Sequence, residues 1–351
     1  MTQSTTTEGR PAEPDGAPPP PSRRAGTLLG TAVAVLAALL LVPPGIGALS
    51  GGGDGTQLRG LRMLVPNAPG GGYDVTARSA AKAMEDTGLT GSVEVFNLPG
   101  AGGTVGLGRT VNEAGNDRLT MSMGLGVVGS VYSNDSPATL ADTTPIARLT
   151  EETEIVVVPA DSPFRDIGQL LDAWKRDPSG TPVGGGSSPG GPDHLAPMLM
   201  AEGTGLDPTR VNYVAYDGGG ELLASVLGGK VAFGVSGLGE FADQIESGDL
   251  RVLAVTAGQR VPGVDAPTLR ESGVDIEFTN WRGVVAPPGL SEQSRAELER
   301  AYAEMVRTPE WQEVLALNGW EDAYQPGPEF GEFVQSENDR VERVLRRLGL
   351  V

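Results

Sequence analysis

VPNAPGGGYD, residues 65 to 74, and FNLPGAGGTVG, residues 96 to 106, decide the fold of this chain. Each follows a short apolar run and leads into a stretch with helical spacing. Their glycines leave backbone N–H groups uncovered. A helix start adds further unpaired N–H groups and a partial positive charge. Such a turn can hold an anion without lysine or arginine. A third turn, GGGSSPGGPDH at 184 to 194, repeats the device. Three sockets in one chain point to a protein that grips a small anionic molecule.

Short apolar runs spread outward from these turns and alternate with helical stretches. Strands are expected at 61–65, 93–96, 119–123, 155–159, 211–216, 231–235, 252–256 and 283–287. Helices are expected at 75–87, 104–114, 167–176, 193–203, 219–228, 239–247, 291–307, 309–318 and 328–348. The alternation reads as α/β with largely parallel sheets. All three turns fall at strand-to-helix junctions, on the edge where such sheets bind ligands. Two βα sets with similar punctuation suggest two similar lobes.

The chain has 351 residues, a length that suits about two domains, and 39% of them are hydrophobic, enough for ordinary cores. With no Cys there are no disulfides, no thiolate catalysis, no cysteine-ligated metal and no lipid-modified cysteine. A formal charge of −19 argues against nucleic acid and anionic lipid as partners. It also repels an anionic ligand at long range, so local donors must decide affinity within about 10 Å. No cofactor is called for.

The first 24 residues are polar and Pro-rich, ending in Arg23 and Arg24; residues 25 to 50 then carry no charge. A basic flank before an apolar run is an export address. Cleaved secretion and a retained membrane anchor both fit. Residues 51 to 57 read as a glycine linker, and the folded part begins at Leu58.

Two motifs suggest enzymes and fail on context. GLGVVG at 124 to 129 has the dinucleotide pattern, but SVYSNDSPATLADTTP follows, and no crossover helix fits there. GSSPG at 186 to 190 mimics a nucleophile elbow around Ser188. Its hydrolase would need a later histidine, and the chain's only one, His194, lies six residues on. Ser187 and Ser188 read instead as helix caps or ligand donors, and His194 as a packed first-turn residue. One histidine without cysteine makes a poor zinc site. Asp74 reads most simply as the N-cap of helix 75–87, with loop or ligand orientation as its other role. Glu151, Glu152 and Glu154 read as a solvated acidic face.

Taken in order, several segments resemble the solute-binding receptors of tripartite tricarboxylate transporters, also called Bug receptors. They are PNAPGGGYDVTAR, NLPGAGGTVG, GSSPGGPDHL, YDGGGELLASVLGGKVAF, GDLRVLAVTAGQRVPGVDAPTLRESG and WRGVVAPPGL. The resemblance runs from about Leu58 to Leu348. It implies a non-catalytic, two-lobed, periplasmic-binding-protein-like (type II) Venus flytrap with two mixed, mostly parallel sheets. Residues 58–155 and 280–351 would form lobe 1, and residues 156–279 lobe 2. A small di- or tricarboxylate or related organic acid would lie between them, held by backbone N–H groups and water. The first turn would offer Gly70, Gly71, Gly72, Tyr73 and Asp74; the second, Gly100, Ala101 and Gly102. A strand end would add Gly124 and Leu125, and lobe 2 would add Ser187, Ser188, Tyr216, Gly218, Gly219 and Ser236. The resemblance further implies a monomer handing its ligand to transporter membrane subunits outside the cytoplasm. A carboxylate-sensing module for a signalling partner is the alternative. Asp217, which puts a negative charge near the cleft, and the SGLGE stretch at 236 to 240 depart from the family pattern.

Overall fold

A computed structural model describes residues 58–216 and 218–351. The polar N-terminus, the apolar segment, the linker and Asp217 lie outside the described residues.

In chain order the elements are β1 (Arg62–Val65), α1 (Gly72–Asp86), β2 (Glu94–Asn97), α2 (Thr104–Asn112), β3 (Leu119–Gly124), α3 (Leu125–Ser133) and β4 (Thr144–Pro159). Then come α4 (Ile167–Arg176), β5 (Val183–Gly185), α5 (Pro192–Gly203), β6 (Tyr213–Ala215), α6 (Gly219–Leu227), β7 (Phe233–Gly237), α7 (Ala242–Glu246) and β8 (Leu250–Val255). The chain closes with β9 (Thr279–Ala286), α8 (Glu292–Met305), α9 (Pro309–Asn318), β10 (Glu321–Pro326) and α10 (Gly327–Arg347).

The strands run in the order β2-β1-β3-β9-β4-β7-β5-β6, with β8 and β10 also pairing β4. The outer pairs β1–β2, β1–β3, β5–β6 and β5–β7 are parallel, as right-handed βα units require. The central pairs are antiparallel, because β4 and β9 run against their neighbours. β4 is the hinge of the topology. Its residues Thr144 to Thr153 pair with β9, whereas Glu154 to Pro159 pair with β7 and β8. One 16-residue strand thus belongs to both halves of the sheet.

Burial follows the apolar spacing. In α4, Ile167, Leu170, Leu171 and Trp174 form the buried stripe, and Asp166 caps the start by accepting the Gln169 N–H at 2.9 Å. One core, including Leu64, Met121, Trp174, Phe233 and Trp281, runs through both halves. A second lies under α1, α8 and α9 around Met63, Met84, Tyr302 and Trp311. A third fills the other half around Ile155, Leu222 and Phe241.

Five expectations need correction. A helix, α3, starts inside the GLGVVG motif, where the sequence reads as loop. It forms because its apolar residues Leu125, Val127, Val128 and Val131 are buried on all sides, which outweighs the poor helix propensity of Gly and Val. β4 starts at Thr144 rather than 155, and β10 is a strand with a charged, partly exposed sequence. Asp74 is not a cap: α1 begins at Gly72 after the N-cap Gly71, which places Asp74 in the first turn. The acidic run is not a solvated face, since Glu152 is 3% and Glu154 0% exposed.

Candidate ligand-binding cleft

The first turn leaves β1 and enters α1 through Gly70, whose φ of +88° lies in the left-handed region. The Gly70 N–H donates to the Asp74 carboxylate at 2.9 Å. Asp74 also accepts from Arg78 Nε at 3.0 Å and Asn97 Nδ2 at 2.8 Å. Burial opposes its charge, yet these hydrogen bonds hold its carboxyl below the usual carboxylate range. Asp74 is therefore a brace for the turn. Gly71 donates to the Ala68 carbonyl. Among the described residues the N–H groups of Gly72 and Tyr73 have no acceptor.

The second turn is more contorted. Gly100, Ala101, Gly102 and Gly103 take φ values of +151°, +45°, +62° and +102° in succession. Ala101 is one of two non-glycine residues in this region among those described, and such strain collects at functional sites. The N–H groups of Gly100, Ala101 and Gly102 have no acceptor among the described residues, and Gly103 donates to the Gly100 carbonyl at 2.9 Å.

The third turn enters α5. Ser187 Oγ accepts the Asp193 N–H at 3.1 Å and donates to Asp193 Oδ1 at 2.7 Å. It therefore satisfies one first-turn N–H, while the N-cap position itself belongs to Gly191. The Gly190 N–H donates to His194 Nδ1 at 3.1 Å, and the ring packs edge-on against Tyr213. Burial drops the His194 pKa to about 4, so the ring is neutral. It is a structural acceptor, not the base of Ser188.

Gly100, Gly102, Ser187 and Ser188 line one cavity of about 360 Å³, together with Asn67 and Gly126. Parts of all three turns thus meet in one place, at a volume within the range of small-molecule sites. Gly70 and Gly72 face a neighbouring cavity of about 720 Å³ with Glu152, Glu240 and Arg282. Gly71 packs on Asn67. Leu125 is buried in the core. The start of α3, at Gly126 and Val127, lies against the Tyr73 phenol, whose pKa burial pushes up to about 12. Tyr73 thereby fills the start of α3, the place a phosphate would take in a dinucleotide fold. Tyr216 donates its N–H to the Gly185 carbonyl at 2.9 Å. Gly218 and Gly219 back onto Gly186.

Ser236 is fully buried, and its one hydroxyl proton is shared between Asp193 at 2.9 Å and Glu240 at 3.1 Å. It opens on a charged cluster that the sequence reading missed. Arg282, 6% exposed, donates to Glu152 at 2.8 Å. Burial, with Asp193 and Glu152 alongside, raises the Glu240 pKa to about 7. Burial and the carboxylates of Asp193, Glu152 and Glu240 push Glu154 well above the usual range, against the pull of Arg282. The period-two spacing of Glu152 and Glu154 on a strand was the available signal, since it puts both on one face. Among the described residues no group of three or more His, Asp or Glu is arranged to hold a metal.

A two-part α/β sheet joined by one strand, with glycine-rich turns meeting in a cleft, defines a solute-binding receptor. The chain belongs to the tripartite tricarboxylate transporter receptor family, whose pattern it matches over residues 76–350. It is 27% identical over 302 residues to the protein BugT of Bordetella pertussis, covering 84% of this chain and 91% of that one. A TctC solute-binding protein from Polaromonas, solved without ligand, superposes with a TM-score of 0.70 at 27% identity, covering 83% of this chain and 99% of that one. MatC of Rhodopseudomonas palustris, solved with malate, shares the fold at a TM-score of 0.67 and 24% identity, covering 82% of this chain and 99% of that one.

Proposed function

We propose that this chain is an extracytoplasmic receptor that captures a small organic carboxylate for a tripartite tricarboxylate-type membrane transporter. The observation that carries it is the meeting of Gly100, Gly102, Ser187 and Ser188 around one cavity, where the N–H groups of Gly100 and Gly102 have no acceptor among the described residues. Such donors favour an anion and leave its charge unneutralised by any ion pair. A hydrogen bond to an ionised group contributes about 1.5–3 kcal/mol. A handful reaches micromolar affinity, near −8 kcal/mol, after ordering costs. The malate-bound relative supports the ligand class.

Residues 58–155 with 280–351 act as one lobe and residues 156–279 as the other, with the crossings at β4 and β9 serving as hinge. Closure follows from ligand contacts made to both lobes at once. The receptor works as a monomer, without catalysis, and the apolar segment at 25 to 50 serves export or anchoring. A thermal-shift screen of mono-, di- and tricarboxylates tests this. A ligand at 100 times its Kd adds about 2.7 kcal/mol of stability. Stabilisation by neutral sugars or amines alone would sink the reading.

A further inference from the structure

Arg282 sits where the two halves of the sheet meet. It lies on β9, and Glu152 lies on β4, two residues before β4 passes from β9 to β7. In register Glu152 faces Asn280 and Thr150 faces Arg282. The two side chains are therefore diagonal neighbours on one face, within reach of each other because both are long. They meet at 2.8 Å, with side chains 7% and 5% exposed. Desolvation offsets most of the attraction in a buried ion pair, so stability alone is a weak reason to keep one.

The pair touches both lobes. On the lobe 1 side the guanidinium packs against the first glycine turn. A Cβ added at Gly72 would lie 2.8 Å from Nη2 and 2.9 Å from Nε, so only glycine lets the start of α1 come this close. The guanidinium carbon also stands 4.8 Å from the centroid of the Trp320 ring, just beyond α9. On the lobe 2 side Glu152 accepts the N–H of Gly239 at 3.2 Å, in the segment between β7 and α7. Each oxygen of one carboxylate thus has its own partner, Arg282 on Oε2 and Gly239 on Oε1. Gly239 presses on lobe 1 directly as well, since an added Cβ would lie 2.8 Å from the Asn318 carbonyl oxygen. All six of these residues line the 720 Å³ cavity.

We propose that Arg282 is a positioning residue for lobe closure. Through Glu152 it ties the first glycine turn of lobe 1 to the Gly239 segment of lobe 2, and so fixes the register in which the lobes approach. This rests on the receptor reading above and names the residue that gives its hinge one closed geometry. Arg282 needs no contact with the ligand for this role. Arginine suits it because a planar fork can lie against Trp320 and Gly72 while Nη2 meets the carboxylate; the point charge of lysine has no such plane.

The chain has no Cys, so two introduced cysteines can carry spin labels. Lys175→Cys on α4 and Glu313→Cys on α9 are exposed and lie in different lobes. Double electron–electron resonance on the ligand-free, full-length chain should give one narrow distance distribution. Arg282→Met combined with Glu152→Leu replaces both charges by apolar groups and leaves neither charge alone. Its melting temperature should stay at or above the parent's. Its distance distribution should nevertheless widen at least twofold, which a merely structural pair would not produce at constant melting temperature. Gly239→Ala keeps both charges and pushes on the Asn318 carbonyl, and it should widen the distribution too. If the double variant folds, its width decides; if it does not, the width of Gly239→Ala decides. A width equal to the parent's in the deciding variant overturns the inference. If carboxylates stabilise the parent and the widths do not change, the inference alone falls. If no carboxylate stabilises the parent, the receptor reading fails and takes the inference with it.

Discussion

His194 Nδ1 and the Asp74 carboxylate hold equivalent backbone N–H groups in two turns of the same shape. Gly70 donates to Asp74, and Gly190 donates to His194, each four residues ahead. The donating glycines have φ of +88° and +91°. The N-caps Gly71 and Gly191 adopt (−77°, 166°) and (−80°, 171°). Gly71 and Gly191 donate to the carbonyls of Ala68 and Ser188. One device is thus used at the start of α1 and again at the start of α5, once in each half of the sheet. The requirement is an acceptor at that first-turn position, and either a carboxylate or a neutral imidazole meets it.

That requirement fixes the behaviour of His194 with pH. Its Nδ1 can accept only while unprotonated, and burial has dropped its pKa from 6.5 to about 4. A depressed folded pKa means stability fully present above pH 6.5 and lost as pH falls toward 4, at about 1.4 kcal/mol per pH unit. His194→Ala should remove this acid slope in urea titrations run from pH 4 to 8. At neutral pH it should cost about 1–3 kcal/mol for the orphaned Gly190 N–H, plus the packing lost on Tyr213. An unchanged slope would show that the fold does not depress the His194 pKa.

Glu240 has the opposite sign. Its folded pKa of about 7 lies above the usual 4.5. Its contribution is fully present below pH 4.5 and is lost as pH rises through 7. Glu240→Gln should flatten the fall in stability between those values and leave the protein more stable at pH 8. Melting temperatures across that window are the check. A variant less stable than the parent at pH 8 would contradict the cause assigned to the shift.

The turns and the α/β alternation were legible because glycine and short apolar runs act locally. Gly70 and Gly190 adopt conformations that their neighbours in sequence already suggest. What stayed hidden depends on distant partners. Helix α3 has weak formers, and its apolar residues become a reason to be helical only once the core surrounds them. Glu154 looked solvated because nothing in the sequence says that α5 and β7 bring Asp193 and Ser236 beside it. β10 escaped notice because EDAYQP pairs with β4 through its backbone while its side chains stay partly exposed.

Tyr73 offers a test of the turn's geometry. Its phenol oxygen faces the start of α3, and an added Cβ at Gly126 would lie 2.8 Å from it. Tyr73→Phe leaves the first-turn donors of α3 without that oxygen. Unfolding free energy should fall by about 1–3 kcal/mol in denaturant titrations. Because the freed donors carry the helix's partial positive charge, sulfate should recover part of the loss in the variant and less in the parent. Equal sulfate responses would mean that the phenol does not close this helix start.

Helix α3 and the third turn touch where Gly129 meets Gly190, and an added Cβ at Gly129 would overlap the Gly190 carbonyl oxygen. Ser133 tightens the same contact by donating to the Pro189 carbonyl at 3.1 Å. The obstruction is backbone, which cannot swing aside as a flexible side chain can. Gly129→Val should therefore hold the two sides of the 360 Å³ cavity apart without emptying either core. The variant should keep its far-UV circular dichroism and cooperative melting. It should lose at least tenfold in affinity for whichever carboxylate stabilises the parent, and its radius of gyration should no longer shrink on adding that ligand. Parent-like affinity in a folded Gly129→Val would show that binding needs no approach of α3 to the turn.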